Sequence, residues 1–386
     1  MNPRDISEIK RRLNPDRRNP TMIRGCYVGN DGHVISTFAS RVATIPLEEN
    51  EKYMALFRRA LSGTAGQNLM PVDFSNEQVM SGAEHQTLMG LCGTALTDEA
   101  QVETFYQRVI AYIQSIQTAQ SVEEQQAADN YLILLMHDAY DVPYRNVNDE
   151  IDHEQSSTVF NYIVCAVCPV RQSKPTLSYF AAENEFHNRE SAWSVGAPEL
   201  GFMFPCFEDR GGNIYRAMYY TRDAADLHDT FIQSVFNTDL LMTASEQKET
   251  FQSILQDTLA DDCKLEVVQA VHETVRTMIE EQKADKTAEP LSLSQKEVRK
   301  VLEECGVSEE CANAFEERYE QSFGERAEIP AVNMVTPKQF KVDTPSVSIS
   351  VDPERSDLIE TRLIDGKYYI LVLADGDVAV NGMRIN

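Results

Sequence analysis

The stretch "AENEFHNRE", residues 182–190, sets two carboxylates and an imidazole at spacings of two. On a strand Glu183, Glu185 and His187 share one face, and on a helix Glu183 and His187 still do, being four apart. One imidazole with two carboxylates can ligate a divalent metal or serve as an acid-base set for hydrolysis. The segment lacks the paired histidines of zincin motifs, so a solvated, charged strand face is the competing reading. A second stretch, "YLILLMHDAYDVPYR" at 131–145, runs apolar residues into His137 and Asp138. Strand alternation places Ile133, Leu135 and His137 on one side and Leu132, Leu134, Met136 and Asp138 on the other. His137 then extends an apolar row, where a structural histidine bonded to Asp138, Asp141 or a backbone carbonyl is expected. His137 and Asp138 join the candidate site only if their strand neighbours the Glu183, Glu185 and His187 face.

Other motifs carry less. "CAVC" at 165–168 lies inside an apolar strand, where residues three apart face opposite ways, so the two thiols do not converge on a metal or a redox bond. "SGTAG" at 62–66 follows a helix and lacks a lysine, which makes it a helix stop rather than a phosphate cradle. There is no P-loop, no dinucleotide fingerprint and no nucleophile elbow. "DEIDHE" at 149–154, with His153, reads as an exposed acidic loop, and His228 and His272 as surface or boundary residues of amphipathic helices.

The elements that must position these residues follow from periodicity. A short helix over 5–13 is broken by "NPDRRNP", and "MIRGCYVGNDGHVISTF" reads as a hairpin around "GNDG". A helix over 46–61 has Tyr53, Leu56, Phe57 and Ala60 on one face. Two or three helices fill 75–118, the clearest capped by Thr97, and "QTAQSVEEQQAADN" follows as a helix end or linker. Between 131 and 221, strand-length apolar runs separated by short turns predict a mostly antiparallel sheet of about five strands. The early hairpin joins it, and the preceding helices cover one face. Helices over 241–285 are expected to pack on this body, and "KADKTAEP" at 283–290 reads as a linker. A small helical module at 291–325 carries a Ser294 to Glu297 capping box, a Gly306 stop and a Ser308 cap. Residues 335–386 alternate over three or four strands with "DG" and "NG" turns.

At 386 residues and net charge −26 the chain exceeds one ordinary core and repels nucleic acid and anionic lipid on average. The distribution is uneven: residues 1–24 hold seven Arg or Lys against three acids, and residues 239–328 hold ten against 22. Any nucleic-acid contact would therefore fall to the basic N-terminal arm. Eight scattered cysteines suit free thiols in a reducing cytoplasm. No apolar run is long enough to span a bilayer, and the N-terminus lacks the apolar core of a signal peptide, so a cytoplasmic location is expected.

The strings "RRLNP", "IRGCYV", "HDAYDVPYR", "SYFAAENEFHNR", "VGAPELGFMFP", "NIYRAMYYTRD" and "VDPERSDLIETRLIDGKYYILV" resemble, across essentially the whole chain, the domain-of-unknown-function 4317 family of anaerobic Gram-positive bacteria. That resemblance implies a cytoplasmic bacterial protein and brings no activity, substrate or catalytic residue with it. The last segment also resembles, in strand pattern and the "RSDLI" turn, the tail of bacterial nucleoid-associated proteins, which would engage Arg11, Arg12, Arg17 and Arg18.

The resulting expectation is an α+β protein: a mixed body over 1–240 with a mostly antiparallel sheet packed by helices, acidic helices over 241–285, a helical module over 291–325 and a small C-terminal antiparallel sheet over 335–386. The expected function is non-catalytic interaction or scaffolding, through a protein partner or self-association, with no membrane and no resident cofactor. The alternatives are a metal-assisted hydrolase, with a divalent metal on Glu183, Glu185 and His187, and the nucleoid reading.

Overall fold

Apolar residues at both parities of 131–138 demand cover on both faces, and the computed structural model buries that strand at the centre of an eight-stranded antiparallel sheet. The structure describes residues 1–119, 129–143, 158–238, 242–259, 265–285, 288, 290–324, 327–374, 376, 378–380 and 383–385. These fall into two compact units, Met1–Thr243 and Ala244–Asn386. The architecture is α+β.

The first unit runs α1 (Pro3–Arg12), β1 (Met22–Val28), β2 (Val34–Arg41), α2 (Leu47–Arg59), β3 (Leu69–Asp73), α3 (Asn76–Ser81), α4 (Ala83–Gly93) and α5 (Glu99–Ala119). It continues with β4 (Asn130–Val142), β5 (Thr158–Gln172), β6 (Thr176–Phe180), β7 (Glu185–Arg189), β8 (Trp193–Val195) and β9 (Leu200–Phe204). It closes with β10 (Cys206–Glu208), β11 (Gly211–Asn213), β12 (Arg216–Thr221) and α6 (Asp229–Val235). The sheet order is β2-β1-β4-β5-β9-β12-β3, with β8 paired to β5.

Covering both faces departs from the one-sided cover that the sequence suggests. On one face Ile133, Leu135, Cys165, Phe202 and Tyr219 pack with Leu88 and Leu91 of α4, Phe105 and Val109 of α5, and Phe231 of α6. On the other, Leu134, Met136, Val164 and Met203 pack with Ile9 of α1 and Met54 and Phe57 of α2. Each such side chain, fully buried, contributes about 1.5–3 kcal/mol. The fifteen-residue strand β5 carries both parities, so neither helix layer is optional.

Local chemistry sets the ends. Asn2 caps α1 through a capping box with Asp5, and Asp98, rather than Thr97, caps α5 by accepting from Ala100 N and Gln101 N. Thr97 donates its hydroxyl to Thr94 O instead. Strand β3 is absent from the sequence reading because it has five residues and a proline. Pro71 is tolerated because β3 lies at the edge of the sheet, where an amide donor can be spared.

The second unit comprises α7 (Ala244–Leu259), α8 (Leu265–Ala284), β13 (Ser292–Ser294), α9 (Gln295–Glu304), α10 (Glu309–Phe323), β14 (Glu328–Pro330) and α11 (Ala331–Met334). Six strands follow: β15 (Phe340–Asp343), β16 (Ser348–Val351), β17 (Ile359–Ile364), β18 (Lys367–Val372), β19 (Val378–Val380) and β20 (Met383–Ile385). The apolar stripes of α7 and α8 close within this unit. Phe251, Ile254, Val271, Val275 and Ile279 share one core with Val298, Leu302, Phe315 and Tyr319 of α9 and α10. The capping box of Ser294 with Glu297, the positive φ of Gly306 and the cap of Ser308 on Cys311 N stand where the sequence places them. The C-terminal strands form three separate hairpins, β15–β16, β17–β18 and β19–β20, among the described residues, not one small sheet.

The expected linker at 117–130, the turn at 146–150, the acidic loop at 149–154 with His153, part of the 283–290 linker, Cys263 and the "NG" turn at 381–382 lie wholly or partly outside the described residues. Among the described residues, no helix is long and apolar enough to cross a membrane.

Candidate functional site

His137 and Asp138 are adjacent on β4 and therefore look to opposite faces. His137 lies opposite Met22 of β1 and Ile163 of β5, and is only 2% exposed. Its Nδ1 is 2.7 Å from Thr21 Oγ1, and its carbonyl accepts from Thr21 N at 2.8 Å. Burial pushes the imidazole pKa below its ordinary value, against the opposing pull of Asp138. This is a neutral histidine that pins the entry of β1 to β4.

Asp138 is wholly buried on the face that receives α1. Arg12 grips it at two points, Nε to Oδ2 at 2.6 Å and Nη2 to Oδ1 at 2.8 Å, and Tyr162 donates its hydroxyl to Oδ2 at 2.9 Å. The Arg12 guanidinium also lies 4.3 Å over the Tyr140 ring, whose hydroxyl donates to Glu8. Arg210 holds both Glu8 oxygens at 2.8 Å and donates to Pro143 O. Burial alone would lower the Arg12 pKa, but the bonds to Asp138 outweigh it and raise it. A buried carboxylate costs heavily unless it is both paired and hydrogen-bonded, and Asp138 has three donors. The arrangement is a clamp that fastens α1 to the sheet, and its carboxylate has little left to offer a substrate. Sequence reasoning found Asp138 but missed Arg12, Glu8, Tyr140, Tyr162 and Arg210. The available signal was Arg12 one position before Leu13 in a helix whose Ile9 and Leu13 are core residues.

Glu183, Glu185 and His187 stand elsewhere. Phe180 ends β6, Glu183 sits in the turn, and β7 begins at Glu185. Glu185 and His187 therefore share one face of β7, while Glu183 reaches His187 from the turn, Oε2 to Nε2 at 3.2 Å. The imidazole lies against Phe180, with ring centroids 4.1 Å apart. The hairpin departs beyond Gln172, nine residues along β5 from Ile163, a run of roughly 30 Å. His137 is thus in the sheet core, whereas His187 is a partly exposed hairpin residue. Among the described residues, no group of three or more His, Cys, Asp or Glu is placed to hold a metal ion. Cys165 and Cys168 face opposite layers, as their spacing predicts, and burial raises both thiol pKa values, that of Cys168 to about 12.

The other face of the same hairpin is apolar. Register pairs Tyr179 with Phe186 and Leu177 with Asn188, so Leu177, Tyr179 and Phe186 line the face opposite to His187. Leu177 is 74% and Phe186 69% exposed, and the Tyr179 and Phe186 rings lie with centroids 5.1 Å apart, tilted by 50°. Trp193, the sole tryptophan of the chain, and Val195 follow on β8, also exposed. The stretch is acidic on balance, with Glu183, Glu185 and Glu190 against Lys174 and Arg189, and Glu183 and Glu185 lie with His187 on the other face. Among the described residues, strands β6 and β7 pair only with each other, and a two-stranded ribbon is marginal in water by itself. Isolated exposed apolar residues are ordinary, but here Tyr179 and Phe186 touch each other in the open.

No curated protein and no solved structure matches this chain, whereas the model of one family does. That match spans residues 1–383, from α1 through the C-terminal hairpins, and so the chain belongs to the family described as Domain of unknown function (DUF4317).

Proposed function

We propose that this chain is a non-catalytic interaction protein of a reducing cytoplasm, which docks an apolar, Lys- or Arg-bearing segment of a partner protein on the β6–β7 hairpin and Trp193. The observation that carries the reading is the exposed face of Leu177, Tyr179 and Phe186, with the exposed Trp193 following on β8, in a stretch that carries Glu183, Glu185 and Glu190 against Lys174 and Arg189. Fully covering each of these side chains contributes about 1.5–3 kcal/mol, the scale on which a few aromatic anchors dominate an interface. The net acidic charge of the hairpin favours a cationic partner segment. The free thiols fit the compartment.

The reading is tested by the emission of Trp193, the chain's one tryptophan, which lies on β8 four residues beyond the hairpin. Titration with a synthetic peptide alternating Lys and Leu is expected to give a saturable blue shift that salt weakens and Phe186→Ser abolishes. A Glu-Leu peptide is expected to give none. Equal responses to both peptides, or an unchanged response in Phe186→Ser, would overturn the reading.

The hydrolase reading has the 3.2 Å pair of Glu183 and His187 in its favour and needs a third donor beside it. The nucleoid reading requires free arginines, and Arg12 is committed to Asp138 while Arg18 donates to Ala43 O.

A further inference from the structure

We propose that β18 is a self-pairing edge, through which two copies of this chain join their β17–β18 hairpins into one four-stranded antiparallel sheet. Strand β18 reads "KYYILV", six residues of high strand preference with one charge, no proline and no glycine. It pairs with β17 on one side, from Ile364 against Lys367 to Ile359 against Val372. Among the described residues its other edge has no strand. Both faces of the ribbon are open as well: the cross-strand pair Leu363 and Tyr368 is 63% and 86% exposed, and Ile364 and Tyr369 on the opposite face are each more than 40% exposed. Natural edges are normally blunted by charge, proline or a bulge. Strand β17 follows that rule, with Glu360 and Arg362 along it, and β18 does not.

A second copy fits this edge better than an arbitrary strand because the sequence is complementary to its own reverse. A two-fold axis through Ile370 places Tyr369 against Leu371 and Tyr368 against Val372 of the other copy, with Ile370 against itself and Lys367 against Leu373. The two Lys367 ammonium groups then lie at opposite ends of the interface, and the pairs flanking the central Ile370 are aromatic against aliphatic, a favoured cross-strand combination. The net charge of −26 opposes association of whole chains, but Glu360, Arg362, Asp365 and Lys367 leave this hairpin locally neutral. Six residues from each copy bury less than the roughly 1,000 Å² of a stable interface, so the dimer is concentration-dependent rather than obligate.

Sedimentation equilibrium of the full chain, from the low micromolar to the submillimolar range, tests this. The mass is expected to rise from 43.6 kDa toward twice that value with concentration. The double variant Tyr369→Lys/Leu371→Lys sets like charges opposite each other twice and is expected to stay monomeric. Tyr369→Glu/Leu371→Lys sets opposite charges in the same register and is expected to restore the dimer. Circular dichroism and Trp193 emission verify that each variant is folded. A wild-type chain that stays monomeric throughout overturns the proposal, as does a folded double-lysine variant that dimerises like wild type. Failure of the charge-swapped variant to recover overturns the register. None of these outcomes bears on docking at β6–β7, which the Trp193 titration tests separately.

Discussion

Arg12 and Asp138, 126 residues apart in the chain, meet in a two-point ion pair with the carboxylate wholly buried. This contact makes the N-terminal helix part of the sheet's second face. Removing one partner of a buried pair leaves an uncompensated charge, which costs about 3–5 kcal/mol. Arg12→Met is therefore expected to lower stability by that amount in urea unfolding. Arg12→Met/Asp138→Leu is expected to recover part of it, because the stranded charge is gone. A loss below about 1 kcal/mol for Arg12→Met would show that the pair does not fasten α1.

Burial lowers the pKa of His137, His228 and His272 in the folded chain. A group with a depressed folded pKa contributes stability above its unfolded value and loses it as pH falls. The unfolded chain binds these protons first, so stability is expected to drop between about pH 7 and the lowered folded values. The urea midpoint should fall over that window, and His137→Gln should make the fall shallower. A midpoint that is flat or rises on acidification would contradict the neutral state assigned to these histidines.

Gly201 of β9 has no room for a side chain. A Cβ there would lie 2.4 Å from Cys165 O and 3.0 Å from Ala60 Cβ, and neither backbone nor packed helix can yield cheaply. Gly201→Ala is expected to cost about 1–3 kcal/mol. Gly93, at the end of α4, meets nothing within 4 Å, and Gly93→Ala is expected to be stabilising by up to about 1 kcal/mol. Equal effects at the two sites in thermal unfolding would be inconsistent with the close approach of β9 to β5 and α2.

Thiol reactivity should divide along the two units. Burial raises the pKa of Cys26 to about 11 and of Cys168 to about 12, and those of Cys92, Cys165 and Cys206 also rise. Cys305 and Cys311 are only partly buried. Because the thiolate is the reactive form, brief iodoacetamide treatment followed by mass spectrometry is expected to label Cys305 and Cys311 ahead of the five buried thiols of the first unit. Early labelling of Cys165 or Cys168 would contradict the closed core.

The sequence made some of this legible, and physics explains which parts. Alternation in 131–138 assigns His137 and Asp138 to opposite faces correctly, because period two is local. Ser294 with Glu297, and Gly306 after α9, are readable for the same reason: a cap is satisfied within four residues. The pairing of Arg12 with Asp138 is invisible without the register of β4 against β1 and the seating of α1. Strand β3 lacks a pattern long enough to announce itself. Glu183, Glu185 and His187 stand out in the sequence by their chemistry, whereas the exposure of Leu177, Tyr179 and Phe186 is legible only once the strands are placed, because no other described element covers the hairpin.

The central claim is that the open face of β6–β7 is a protein contact. Its most direct test is a photo-crosslinking amino acid placed at Tyr179 or Phe186 of the full chain in its native cells, with Met80, an exposed apolar residue on α3, as the control. The account predicts covalent adducts to one partner protein from both hairpin positions and none from Met80, with the linked segment carrying Lys or Arg beside apolar residues. No adduct at either hairpin position, or the same adducts from Met80, would contradict it.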